Sequence, residues 1–431
     1  MKLTKTQIII IGVLGGIVVV ALLFAVGLLL GGKDSSPYEV NASLEMWGVF
    51  DASTAYQGAF TRFNDIYPNV SITYRSFDTV DGYENALLDA LAAGQGPDIF
   101  MVRNNDISRK DNKIFPLPTS KYSLLKLRND FPQLVEHDFA ARGTVRALPL
   151  SIDTLALIYN QALLNEAAIV FPPDTWEKLQ KAIPQLVTRD DAGQLAITGV
   201  ALGGSENVRN AKDIISLLLL QGGVEMTNVE YSAATFATRQ AADVLRFYTQ
   251  FADSGTNVFT WHDRMPDSRT MFSDGRVAMI IDYASAISEI RARNPFINIG
   301  IALVPQLDGS EAVTYGHYWG YTVSRQSTYL TVAGDFILSL TTDIKNTTSY
   351  VQTTGKPPAL KTVINRYLND PDISVFTRQA LTARSWPEPD PEQVTNIFED
   401  MIDAVVKNGI RYTDALGTAE RDITRLMGRR F

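Results

Sequence analysis

Residues 147–160 read Ala-Leu-Pro-Leu-Ser-Ile-Asp-Thr-Leu-Ala-Leu-Ile-Tyr-Asn. The stretch is apolar enough for a buried strand, yet Asp153 stands in its middle. A carboxylate buried on a strand is costly unless it is paired or faces a wet cleft. Asp153 therefore either faces a wet cleft or is paired. The paired alternative is a salt bridge from Asp153 to an arginine.

Two cores suit the length. A chain of 431 residues exceeds one ordinary core and divides into two or three units. Apolar content of 45% with 20% charged residues is that of a folded globular protein. A formal charge of −8 leaves no basic surplus for phosphates, so nucleic acid is excluded as a partner. With no cysteine there is no disulfide, no thiolate metal site and no Cys nucleophile.

Ile8 to Leu30 is an uncharged, apolar run of 23 residues. At ~1.5 Å per residue it spans roughly 35 Å, enough for a bilayer core. Lys2 and Lys5 precede it, which places the tail inside and the bulk of the chain outside. Leu28-Leu29-Leu30 prolong the run past Ala25-Val26-Gly27, so an uncleaved anchor is expected rather than a cleaved signal. Gly31 to Pro37, GGKDSSP, reads as a short tether. Residues 1–37 are thus expected to be tail, transmembrane anchor and tether of a single-pass protein with an extracytoplasmic ectodomain.

The ectodomain opens with a β-α-β-α-β rhythm: strands at 44–50, 70–74 and 98–102, helices at 55–66 and 83–93. That alternation implies a mainly parallel sheet with crossover helices. Further helices are expected at 176–187, 212–221, 233–253, 331–340, 394–407 and 412–426, and strands at 277–281 and 298–303. Catalytic signatures are missing. His137, His262 and His317 stand far apart without zinc spacing, and no phosphate loop or GxSxG occurs. Among 47 acids no pair has a context that marks it as a glycosidase dyad. No catalytic residue, cofactor or metal is therefore expected.

Five stretches, in order, resemble the extracellular solute-binding proteins of ABC importers, in the group that contains the maltose-binding protein. They are Phe60 to Val70 (FTRFNDIYPNV), Gly96 to Phe100 (GPDIF), Leu148 to Asn160, Pro173 to Leu179 (PDTWEKL) and Met271 to Met279 (MFSDGRVAM). Together they are spread over about 220 residues, from Phe60 to Met279. Where relatives often carry Gly-x-Trp after the last motif, this chain has Asp282-Tyr283-Ala284-Ser285, and Tyr283 stands in for the stacking Trp. Pro97, Thr175 and Gly275 read as structural: a turn, a helix N-cap and a helix C-terminus.

The resemblance implies an α/β, two-lobed type II periplasmic-binding-protein fold with the ligand in the interlobe cleft. Lobe one is expected at 41–150 with 277–317, and lobe two at 155–275 with 321–431. The crossings would lie near 150–155, 276 and 318–321. The implied function is capture of a carbohydrate by lobe closure and delivery to the permease subunits of an ABC importer, by a monomer. A sensing module for a membrane receptor, or a surface glycan hydrolase, are the alternatives. Sugars are bound by aromatic faces and by polar groups that meet hydroxyls. On that basis the expected ligand-binding residues are Trp47, Phe50, Asp51, Asn104, Asn105, Asp153, Ser205, Glu206, Tyr283, Tyr318, Trp319 and Trp386. Trp47 and Trp386 read equally as core aromatics, Asn105 as a cap, and the lone His317 as structural.

Overall fold

The strand Ala42–Val49 buries every second side chain at its start and every one from Met46 onward. That is the pattern of a strand entering the middle of a covered sheet. It pairs in parallel with Val70–Phe77 on one side and Ile99–Arg103 on the other. The helices Gln57–Ile66 and Val80–Ala92 make the crossovers. Trp319–Ser324 then lies antiparallel to Ile99–Arg103, Trp319 opposite Arg103 and Tyr321 opposite Met101. Ile114–Phe115 and Leu148–Pro149 complete this first sheet. The computed structural model describes residues 37–428. The expected anchor and most of the tether lie outside the described residues, among which no helix is long and apolar enough to cross a membrane.

A second sheet runs Thr188–Arg189, Leu195–Val200, Val277–Asp282, Ala156–Asn160, Ile299–Ala302. Its centre is apolar on both faces, with all six residues of Val277–Asp282 buried. Two helix boundaries follow the expected chemistry. Thr175 accepts from the Lys178 N–H at 3.2 Å and opens the helix Trp176–Leu186. Gly275 takes φ 71° directly after the helix Ser268–Ser273, a left-handed turn that suits glycine.

Each sheet anchors its own core. One gathers residues 42–152 with 318–364, the other residues 155–304 with 386–427. The division therefore differs from the expected one. Residues 277–304 belong to lobe two, because Val277–Asp282 pairs with Ala156–Asn160, Ile280 opposite Ile158. Residues 319–373 belong to lobe one, because Trp319–Ser324 pairs with Ile99–Arg103. There is no crossing at 276. The third crossing falls between Ile373 and Trp386, which pack in opposite cores. An apolar run announces a buried strand but not the partner it pairs with.

All three crossings meet in one small sheet. Thr314–His317 lies between Asp153–Thr154, antiparallel, and Ala383–Arg384, parallel. This is the hinge.

Candidate functional site

Between the lobes, above the hinge sheet, lies a cavity of about 670 Å³. Its floor carries Asp153. The carboxylate answers the question its sequence raised in an unexpected way. Oδ1 accepts from the backbone N–H of Thr154 and Ala284, both at 2.9 Å, and Oδ2 accepts from Ser285 N–H at 3.2 Å. Ala284 and Ser285 begin the helix Ser285–Arg293, so Asp153 caps a helix of lobe two from the hinge strand. Among the described residues no arginine is paired with it; the carboxylate lines the cavity as expected, and backbone donors hold it where the alternative reading had a salt bridge. Burial lifts this carboxyl to about 6, against the opposing pull of the three N–H groups.

Opposite Asp153 on the neighbouring strand stands His317. Its ring lies 5.7 Å from that of Tyr283 and also lines the cavity. Burial lowers His317 to about 4, so the imidazole is neutral near pH 7.

The wall from lobe one is aromatic. Trp319, half-buried at the hinge end of its strand, packs edge-on to Phe50 at 6.3 Å and Tyr83 at 5.8 Å. The Arg103 guanidinium sits 5.6 Å from its ring centre. Phe50 is 56% exposed and has φ 72°, in a three-residue turn where Asp51 N–H donates to Val49 C=O. A bulky residue in that region is strained by ~1–3 kcal/mol, and such strain gathers at functional sites. Asp51 lines the same wall, but its carboxylate is committed to Lys356 at 2.6 Å and to the hydroxyls of Tyr350 and Tyr56 at 2.7 and 3.2 Å. It fixes Lys356 beside the Phe50 ring.

The wall from lobe two is polar. Tyr283 donates to Asp213 Oδ2 at 2.8 Å. Behind it, buried Lys212 lies 2.6 Å from Asp213 and 2.7 Å from Glu388. Burial pushes Asp213 up, but the charge of Lys212 and the hydrogen bonds from Lys212 and Tyr283 hold it below the usual carboxylate range. Arg269, which also lines the cavity, grips Asp282 with two N–H groups at 2.7 and 2.8 Å. Asn210, left-handed at φ 59°, donates to the same Asp282 at 2.8 Å.

Of the twelve residues expected from sequence, Phe50, Asp51, Asp153, Tyr283, Tyr318 and Trp319 line this cavity. The other six do not, each for a visible reason. Trp47 is buried under Arg75 and donates to Glu45 at 2.6 Å. Trp386 stacks on Phe398 and donates to Ser216 in the core of lobe two. Asn104 pins the hinge, accepting from Tyr318 N–H and donating to Asp138. Asn105 is buried, its carbonyl accepting from Glu388 N–H at 2.8 Å. Ser205 donates to Asp403 at 2.7 Å, and Glu206 is exposed near Glu399 and Lys407. Sequence reasoning missed Arg269, Asn210, Asp213, Arg291 and Lys356, which carry no local motif. His317 was weighed as structural.

Two α/β lobes joined by three crossing strands, with a mixed aromatic and polar cavity over the hinge, define a protein that encloses a small solute. Residues 58–375 match the model of the bacterial extracellular solute-binding proteins, and the chain belongs to that family. It is 28% identical over 128 residues to the maltotriose-binding protein of Pyrococcus abyssi, a match that covers 30% of this chain and only 26% of that relative. In fold it is similar to the cyclic α-maltosyl-1,6-maltose binding protein of Arthrobacter globiformis, with TM-score 0.76, 20% identity, and coverage of 90% and 100% of the two chains. It is also similar to a solute-binding protein of Thermotoga lettingae bound to α-D-tagatose, with TM-score 0.69, 22% identity and the same coverages.

Proposed function

We propose that this protein captures an uncharged mono- or oligosaccharide between its lobes and delivers it, on closure, to the permease of an ABC importer, from a membrane anchor at residues 8–30. One observation carries the reading. The cavity joins an aromatic wall at Phe50 and Trp319 to a polar floor and wall. Rings stack on the apolar faces of sugars, and fixed polar groups take the hydroxyls. The charges in the walls are already paired: Asp51 with Lys356, Asp213 with Lys212, Arg269 with Asp282, Arg291 with Asp372. An anionic ligand would find no free cation in the walls and would meet the Asp153 carboxylate on the floor, whereas a neutral one disturbs no pair. The same pairing favours binding over hydrolysis, because each wall carboxylate is held by its partners. The relatives noted above are named for maltotriose, a cyclic maltosyl-maltose and tagatose, which supports a sugar here.

The test is a thermal-shift and calorimetry panel on the full chain in a non-glycosidic detergent, since glycosidic detergents would compete. Maltose, maltotriose, tagatose, mannotriose, peptides and polyols make up the panel. A cognate sugar at a hundredfold excess over Kd stabilises the protein by ~2.7 kcal/mol. Silence across all sugars, with a response to a peptide, would refute the carbohydrate reading.

A further inference from the structure

We infer that His317 is a specificity-determining residue of the cleft, whose imidazole reads one hydroxyl of the bound sugar together with Asp153. This rests on the sugar-binding reading above and names the reader on the hinge floor.

The first ground is position. His317 and Asp153 are direct partners in an antiparallel pair. Residues so paired project to the same face with Cβ atoms ~4.5–5.5 Å apart. Both line the cavity. A single hydroxyl placed over the pair can therefore reach both.

The second ground is hydrogen-bond capacity. An ionised carboxylate offers about four acceptor sites. Asp153 has three occupied by Thr154, Ala284 and Ser285, two on Oδ1 and one on Oδ2. One acceptor site remains, on Oδ2. Among the described residues no hydrogen bond reaches either ring nitrogen of His317. A neutral imidazole brings one donor and one acceptor. A sugar hydroxyl is itself a donor and an acceptor: it can donate to Oδ2 of Asp153 and accept from the imidazole N–H. The inventory fits a hydroxyl and fits neither a carboxylate nor an ammonium group as well. A carboxylate would face Asp153 with no hydrogen to give; an ammonium can donate to Asp153 and to the bare ring nitrogen, but it leaves the imidazole N–H without an acceptor, whereas a hydroxyl can use that N–H and still donate to Asp153.

The third ground is the charge state. Asp213, Lys212 and Arg103 surround the ring, and burial still dominates, keeping His317 neutral. The neutral form is the one whose ring keeps a lone pair as well as an N–H.

The experiment compares wild type with His317→Phe and His317→Gln, each as the full chain in a non-glycosidic detergent. The probes are the sugar that binds best in the panel and its deoxy analogues, one hydroxyl removed at a time. His317→Phe keeps a ring against Tyr283 and removes both nitrogens. The expected result is a loss of about tenfold to a hundredfold in affinity for the parent sugar, the range of one hydrogen bond lost in a desolvated site. Ligand-free stability stays level or rises, because no internal hydrogen bond is broken. One deoxy analogue, weak on wild type, binds His317→Phe no more weakly than the parent sugar does. His317→Gln restores part of the loss. Equal affinity of wild type and His317→Phe for the parent sugar overturns the inference alone. So does a loss accompanied by collapse of ligand-free stability in both variants, which would make His317 structural. If wild type binds no sugar of the panel, the sugar-binding reading falls first and this one with it.

Discussion

Replacing Asp153 with Asn separates two forces that act on this carboxylate in opposite directions. Two backbone N–H groups at the start of the Ser285–Arg293 helix, with that of Thr154, favour its charge, and burial opposes it. Burial wins, leaving the folded value at about 6. Against an ordinary value of about 3.9, the ionised form then costs the folded state up to ~3 kcal/mol. The sign follows from proton uptake. Below the unfolded value both states hold the proton and there is no cost. As pH rises toward 6 the unfolded chain releases its proton first, and the stability contributed by this group is lost. Asn does not titrate, so wild type should lose up to ~3 kcal/mol relative to Asp153→Asn between about pH 4 and 7. At pH 7 the Asn variant gains that relief but turns an N–H toward Ser285 N–H, a cost of ~1–3 kcal/mol. The two proteins should therefore be nearly equal at neutral pH, with wild type ahead in acid. Urea unfolding followed by tryptophan fluorescence at pH 4, 5, 6 and 7 measures this. The comparison is needed because Asp213 and His317 also titrate nearby, and their contributions cancel to first order in the difference. A flat difference, or wild type gaining on the variant as pH rises, would show that the helix N-terminus and not burial sets this carboxyl.

Two further substitutions test the walls. Phe50→Gly removes a side chain that holds its backbone at φ 72°. Ligand-free stability should rise by roughly 1 kcal/mol, strain relief outweighing glycine's entropy, while sugar affinity falls about tenfold with loss of the ring face. A drop in ligand-free stability beyond that size would show that Phe50 is a packing residue. Lys212→Met leaves Asp213 and Glu388 buried without their shared counter-charge. It should cost ~3–5 kcal/mol in urea unfolding, and adding Glu388→Leu should recover part of that. A single variant as stable as wild type would show that the triad is not ionised as described.

The local elements were legible in the sequence where local chemistry decides them. Thr175 and Gly275 mark their own boundaries. Asp153 was legible as an acid that is either paired or faces a wet gap, and the family resemblance placed that gap between two lobes. What held it was not legible. Its donors, Ala284 and Ser285, lie 131 and 132 residues away and act through backbone, which leaves no trace in side-chain identity. The same limit explains the aromatic residues. Trp47 and Phe50 both follow the rule that strand ends face clefts, yet Trp47 lies under Arg75 and Phe50 turns out toward the cavity. The three-residue turn Val49-Phe50-Asp51, not composition, decides which ring the ligand can meet. The lobe boundaries failed for a related reason: strand partners are set by long-range pairing, and Val277–Asp282 would look the same in either sheet.

The placement of the polar floor has a mechanical consequence. Asp153 and His317 sit on two of the three strands that join the lobes, whereas Trp319 and Phe50 belong to lobe one and Tyr283, Ser285 and Arg291 to lobe two. A ligand on the floor is within reach of the hinge at any opening of the cleft. It gains the second wall only when the lobes approach. Binding energy from the floor therefore does not depend on closure, and energy gained from both walls at once does. A ligand can shift an open–closed equilibrium only by its difference in affinity for the two states. The walls, not the floor, must supply that difference. Arg291 and Asp372, 3.2 Å apart at the mouth, link the lobes directly. As an exposed pair they supply at most ~1 kcal/mol, too little to hold the cleft shut without a ligand. On the sugar-binding reading proposed above, the division of labour follows: hinge residues choose the solute, and the facing walls turn its presence into closure.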